Sequence, residues 1–157
     1  MERIAESAGV SRSTVYRRYA SKEDIVLEVP RQFLAAWDAA VEGVDPGTSL
    51  RETMQIGCLA VSTWIDDNAA DVLTAYQALA AAPTLQAADT SNWVERMIEL
   101  ITTHESDIEL ASAATIAGAY MGAIDTMMHV WVDGDGTTSV VDATREVLDL
   151  LEPILPA

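Results

Sequence analysis

Between Gly9 and Asp24 the chain reads GVSRSTVYRRYASKED, and this segment holds four of its nine basic residues, Arg12, Arg17, Arg18 and Lys22. Hydroxyls are interleaved with them at Ser11, Ser13, Thr14 and Tyr16. Guanidinium forks pair with phosphate oxygens and with the acceptor edge of guanine, and hydroxyls and the N–H groups of a helix N-terminus donate to further phosphate oxygens. The rest of the molecule makes this clustering informative. The formal net charge is −16, yet residues 1–31 carry six basic against five acidic residues, and residues 32–157 carry three against twenty. A strongly acidic surface repels polyanions, so any nucleic-acid contact must come from the N-terminal segment, with the body held away from the phosphates.

Other chemistries lack their residues. His104 and His129 fall on different predicted helices with no companion at metal-ligand spacing, so each is expected to be a packed or surface histidine, and neither metal nor cofactor is expected. Cys58 has no basic neighbour in sequence to lower its pKa and is expected to be a small core residue. As the single cysteine it permits no intrachain disulfide, which favours a reducing, intracellular setting. The stretch DGDGTTSVVDAT begins like a calcium loop, but its glycine comes early and Thr144 stands where a closing glutamate is needed, so it is expected to be a turn between helices. No nucleophile elbow, phosphate loop or dinucleotide fingerprint occurs, and an enzyme is not expected. The N-terminus lacks the apolar run of a signal peptide, and the uncharged stretch Leu110 to Ile124 is too short to span a bilayer. A soluble cytoplasmic protein with no membrane partner is the expectation.

The elements that must position these residues are helices, since apolar positions recur at helical spacing and no segment alternates as a strand would. An all-α fold is predicted, with a helix-turn-helix head over residues 1–31 and a larger body over 32–157. A first helix over residues 2–8 ends at Gly9, suited to a left-handed C-cap. Ser11 caps a second helix to about Ala20, and Ser21 caps a third, running to Gly43 with a kink or break near Leu27 caused by Pro30. Ile4, Val10, Val15 and Tyr19 are the expected core of the head. In the body, helices are predicted from Ser49 or Thr48 to Asp67, from Asn68 to Ala82, from a cap at Thr90 or Ser91 to His104, from Asp107 to Val132 and from Ser139 to Leu155. The stretch APTLQAADTS is read as a connection. The last two helices carry a wide apolar stripe and a seam of small residues, Ala114, Gly118 and Gly122, and a four-helix homodimer interface is expected there.

A helix, a glycine-containing turn and a second helix form the helix-turn-helix pattern. The full string IAESAGVSRSTVYRRYASKEDIVLEV resembles the DNA-binding region of the TetR family of bacterial transcriptional repressors, through Ile4-Ala5, Ala8 to Ser11, Thr14 to Tyr19 and Ser21 to Asp24. The resemblance implies that Thr14, Tyr16, Arg17 and Arg18 contact bases or phosphates and that Lys22 contacts the backbone. Ser11, Arg12 and Ser13 join them as DNA-facing candidates on chemistry alone. Arg18 stands where many relatives have histidine, which adds charge and alters the operator read. Relatives carry a further helix ahead of the position of Ile4, packing under the helix-turn-helix. The 157-residue chain is therefore expected to bind its operator poorly and a form extended upstream to bind well.

The body holds residues suited to a ligand cavity: Trp37, Met54, Cys58, Trp64 and Tyr76, then Trp93, Met97, Met121 and Met128. Tryptophan supplies broad apolar walls and methionine adapts to irregular shapes. With only Arg51, Arg96 and Arg145 basic in the body, an apolar or cationic small-molecule effector is expected. The expected function is a ligand-responsive repressor, a homodimer on a palindromic double-stranded operator. The alternative is a helical ligand-binding and dimerisation module that does not bind DNA in this form.

Overall fold

The computed structural model describes residues 1–155, apart from the side chains of Ser7, Ala88 and Ser91. The described residues form nine α-helices and a 3₁₀ turn with no strand: α1 Glu2–Ser7, α2 Arg12–Arg18, α3 Lys22–Val26, α4 Glu28–Glu42 and α5 Leu50–Asp67. They continue as α6 Ala69–Ala80, α7 Pro83–His104, α8 Leu110–Asp133 and α9 Val140–Leu151, with the 3₁₀ turn at Glu152–Ile154. The fold is all-α, as predicted. No helix among the described residues is long and apolar enough to cross a membrane.

Local chemistry sets the boundaries. Ser11 accepts a hydrogen bond from the Thr14 N–H at 3.1 Å and starts α2. Ser21 with Asp24 and Ser49 with Glu52 form reciprocal capping boxes for α3 and α5. Gly9 takes φ +63 between α1 and α2, a conformation that a β-carbon penalises. The break predicted from Pro30 falls at Leu27, and the reason is visible in the register. Proline becomes the third residue of α4, where a backbone N–H would have no intrahelical acceptor, and Arg31 N–H makes the bond to the Leu27 carbonyl at 3.1 Å. Salt bridges then splint the break, because Arg31 reaches back to Asp24 at 2.8 Å.

Four expectations need correction. The supposed connection APTLQAADTS is the first half of α7, which begins at Pro83 in the favoured N-terminal position. A capping role for Thr90 fails because it lies in mid-helix and bonds back to the Gln86 carbonyl at 3.1 Å, and the side chain of Ser91 lies outside the described residues. The final helix stops at Leu151, because Pro153 favours the tighter turn that follows. In the head, Ala5 and Val15 are buried, whereas Ile4 and Val10 are 37% and 44% exposed and Tyr19 is half-buried. Two short helices enclose too little volume to cover all four side chains.

The body core is continuous, built on Phe33 and Trp37 of α4, Met54 of α5, Met97 and Ile101 of α7, and Tyr120 of α8. Helix α4 lies along α5, α5 along α9, and α7 along α8. Gly57 permits the first of these contacts, since a β-carbon there would sit 2.6 Å from the Trp37 ring. The turn after α8 closes on Trp131, whose indole N–H donates to the Thr138 carbonyl at 2.9 Å, with Asp135 and Gly136 both at positive φ. The DGDG stretch is thus a turn between α8 and α9, as expected.

Candidate nucleic-acid interface and ligand cavity

Helix α2 buries one side chain, Val15, against α1 and presents the others outward. Ser11, Arg12, Ser13, Thr14, Tyr16, Arg17 and Arg18 are all exposed, with Tyr16 at 53%. Several are partly engaged. The Ser11 hydroxyl lies 2.8 Å from those of both Ser13 and Thr14, and Arg12 pairs with Glu2. Arg18 is 3.7 Å from Glu28 and lies over the Tyr19 ring, 5.4 Å from its centroid. Lys22 is 3.7 Å from the adjacent Glu23. Arg17 makes no ion pair among the described residues, and neither does Arg3, a cation that the sequence argument had not singled out. Exposed pairs of this kind are worth well under about 1 kcal/mol, so a phosphate can displace them. The side chains of α2 other than Val15 are thus accessible to solvent.

The second feature is a cavity of about 80 Å³ inside the body, several times the roughly 10–15 Å³ that one water requires. It lies among five helices of the bundle, α4 to α8, and reaches α9. Of the nine residues named from the sequence, Trp37, Cys58, Tyr76, Trp93, Met97, Met121 and Met128 come together on its wall. Met54 and Trp64 do not. Met54 is fully buried in the core, and Trp64 packs edge-on against Phe33 with ring centroids 5.5 Å apart. Trp37 and Trp93 meet edge to face at 5.8 Å, and Phe33 and Tyr76 lie 6.3 Å apart, so aromatic surface comes from α4, α6 and α7.

The cavity also holds polar residues that the sequence argument missed. Asp89 and Thr90 come from α7, Asp125 from α8, Ser62 from α5 and Thr144 from α9. A signal for the first pair existed. Asp89, Trp93 and Met97 are four residues apart and share one helix face, but only if the segment after Pro83 is read as helix. Asp125 likewise stands four after Met121. The hydroxyls are spent internally: Ser62 donates to the Cys58 carbonyl at 2.8 Å and lies 2.7 Å from Thr144, while Thr90 bonds Gln86. The Asp89 carboxylate makes no hydrogen bond or ion pair among the described residues. Burial pushes its carboxyl up to about 6. Burial, then the charges of Asp89 and Asp125, drive the Tyr76 hydroxyl well above its ordinary value. No Lys or Arg lines the cavity; Arg96 of α7 is turned to Asp38 of α4 at 2.5 Å.

Neither histidine nor Cys58 is set up for chemistry. His104 Nδ1 lies 3.0 Å from the Leu100 carbonyl and Nε2 lies 3.3 Å from Thr53, whereas His129 is exposed and lies 3.6 Å from Asp125. Burial raises the Cys58 thiol to about 12, the opposite of a nucleophile's requirement. No cluster of metal-ligating side chains occurs among the described residues.

Against known proteins, residues 1–29 match the model of the bacterial regulatory proteins of the tetR family. No curated protein matches the chain.

Proposed function

We propose, from the premise that residues 1–29 are the head of a tetR-family bacterial regulatory protein, that the chain is a ligand-responsive transcriptional repressor acting as a homodimer. The head, residues 1–31, reads DNA through Ser11, Arg12, Ser13, Thr14, Tyr16, Arg17 and Arg18, with Lys22 on the backbone. The body, residues 32–157, holds the effector and the dimer interface. In such a dimer the two copies of α2 enter successive major grooves of a palindromic site, about 34–36 Å apart.

One observation carries the ligand response. Helix α4 supplies Phe33 and Trp37 to the cavity wall, and its first turn holds the head through Glu28 to Arg18 and Arg31 to Asp24. An effector that displaces Trp37 therefore moves the helix on which the head is mounted, and the break at Leu27 and Pro30 is the pivot. Coupling follows if the effector prefers the dimer whose head spacing misfits the operator.

The dimer reading draws on the outer face of α8. Ala111, Thr115, Gly118, Ala119, Gly122, Thr126 and Val130 are exposed and uncharged, in a body otherwise rich in acid. A β-carbon at Gly118 or Gly122 would meet nothing within 4 Å, so packing within one chain does not require glycine there. Leu150 of α9 is 78% exposed.

The test is selection of duplexes from a random pool, followed by affinity measurement across salt concentration. A palindromic site should emerge, with affinity falling steeply as salt rises and lost on Arg17→Ala. Binding indifferent to both salt and Arg17 overturns the assignment. The exposure of Ile4 and Val10 favours the second reading, a helical ligand-binding and dimerisation module without DNA affinity in this form. That reading predicts no enriched site at all.

A further inference from the structure

We infer that the cavity selects a small organic ammonium ion with an apolar, aromatic body, held through its charge by Asp89. The inference rests on the proposed role of the cavity as effector site and adds the ligand's chemical class.

The walls decide the body of the ligand. Trp37, Trp93, Phe33 and Tyr76 present aromatic surface, and methionine fills the gaps between them. Aromatic faces attract cations as well as apolar groups, most strongly where water is excluded. The charge is decided by what is left unsatisfied. Ser62, Thr90 and Thr144 are bonded within the protein, so the carboxylates of Asp89 and Asp125 and the Tyr76 hydroxyl remain to meet a ligand. Asp125 lies at the outer side of α8, 3.6 Å from the exposed His129, and so has a partner when that ring is protonated. Asp89 has no such partner among the described residues. A half-buried carboxylate facing aromatic walls is costly unless a cation or a proton neutralises it. An anion would meet two like charges and no base, whereas a neutral ligand would leave Asp89 as it is. An ammonium group supplies both the opposite charge and N–H donors.

The experiment uses the tryptophan fluorescence of the full chain, because Trp37 and Trp93 form cavity walls, with no DNA present. Three probes of similar shape are titrated at pH 7.5: 2-phenylethylammonium, 2-phenylethanol and phenylacetate. The ammonium should bind at least about tenfold more tightly than the alcohol, and phenylacetate should not bind, as expected for a charge-assisted contact in a desolvated site. Asp89→Asn should remove the ammonium's advantage over the alcohol and spare the fold, as read by circular dichroism. Equal or tighter binding of the alcohol or the anion to the unsubstituted chain overturns the inference while leaving the cavity a ligand site. Failure of all three probes to perturb the fluorescence overturns the inference and, with it, the effector role of the cavity. An ammonium that binds as expected but never releases DNA upholds the ligand class and counts against the regulatory mechanism alone.

Discussion

At the residue scale, Asp89 is the most informative side chain in the body. A carboxyl whose folded pKa stands near 6, against an ordinary 3.8, binds more protons in the folded than in the unfolded state between those values. Stability must therefore fall as pH rises from about 4 to about 6, and the full penalty persists at neutral pH. Because the group retains some contact with water, the penalty is on the order of 1–2 kcal/mol rather than the larger figure a wholly buried carboxylate would carry. Asp89→Asn should raise the melting temperature at pH 7.5 and leave it nearly unchanged at pH 4. Melting curves of the two proteins across that range provide the check, and parallel curves would show that Asp89 carries no such penalty. Asp24 behaves in the opposite sense, because the Arg31 guanidinium holds its carboxyl below the usual range. Its pairing is lost only as acid protonates it.

At the element scale, the junction of α5 with α9 shows how a loop residue is replaced by a tertiary contact. Asp66, in the last turn of α5, accepts from the Val140 N–H at 2.7 Å, the Val141 N–H at 3.2 Å and the Ser139 hydroxyl at 2.9 Å. Those N–H groups belong to the first turn of α9, whose positive end favours a carboxylate. Ser139 itself caps the Asp142 N–H. Asp66→Ala strips two backbone donors of their acceptor and should cost about 1–2 kcal/mol, the range of a lost N-cap. Denaturant unfolding measures it, and a midpoint shift indistinguishable from zero would mean that water or Ser139 replaces the carboxylate. Other element features were legible in the chain itself. Ser11 and Ser21 cap helices at the predicted positions, Ser49 rather than Thr48 caps α5, and the break from Pro30 falls at Leu27. The start of α7 was not legible, because Thr90 and Ser91 mimic a cap while the true start is marked only by Pro83. Asp89 was lost to the site for the same reason.

At the scale of the whole molecule, charge and shape act together. The body carries the excess acid and the head the clustered base, so the proposed duplex contact falls at one end and the rest would repel it. The outer face of α8, acidic only at Asp125 before the helix ends at Asp133, is the exception in the body. Its glycines cost helix stability, roughly 1 kcal/mol each against alanine, with no compensation inside the chain. Close approach of a second copy, as in the proposed homodimer, would supply one. If the proposed dimer packs on this face, Gly118→Leu should leave helical content intact and yield a monomer in sedimentation velocity. A dimer that survives the bulky side chain would place the interface elsewhere.

The all-helical class, the capping serines, the proline break and the basic head were determined by the sequence alone, because each depends on residues a few positions apart along one chain. The gathering of Trp37, Tyr76, Asp89, Trp93 and Asp125 around one cavity was decided only by the tertiary structure. So were the exclusion of Met54 and Trp64 from that cavity and the exposure of Ile4 and Val10. Periodicity tells which face of a helix is apolar, but how far that face is covered depends on which helices pack against it and how closely. Here those distances are set by contacts such as Gly57 against Trp37, between residues twenty positions apart in sequence.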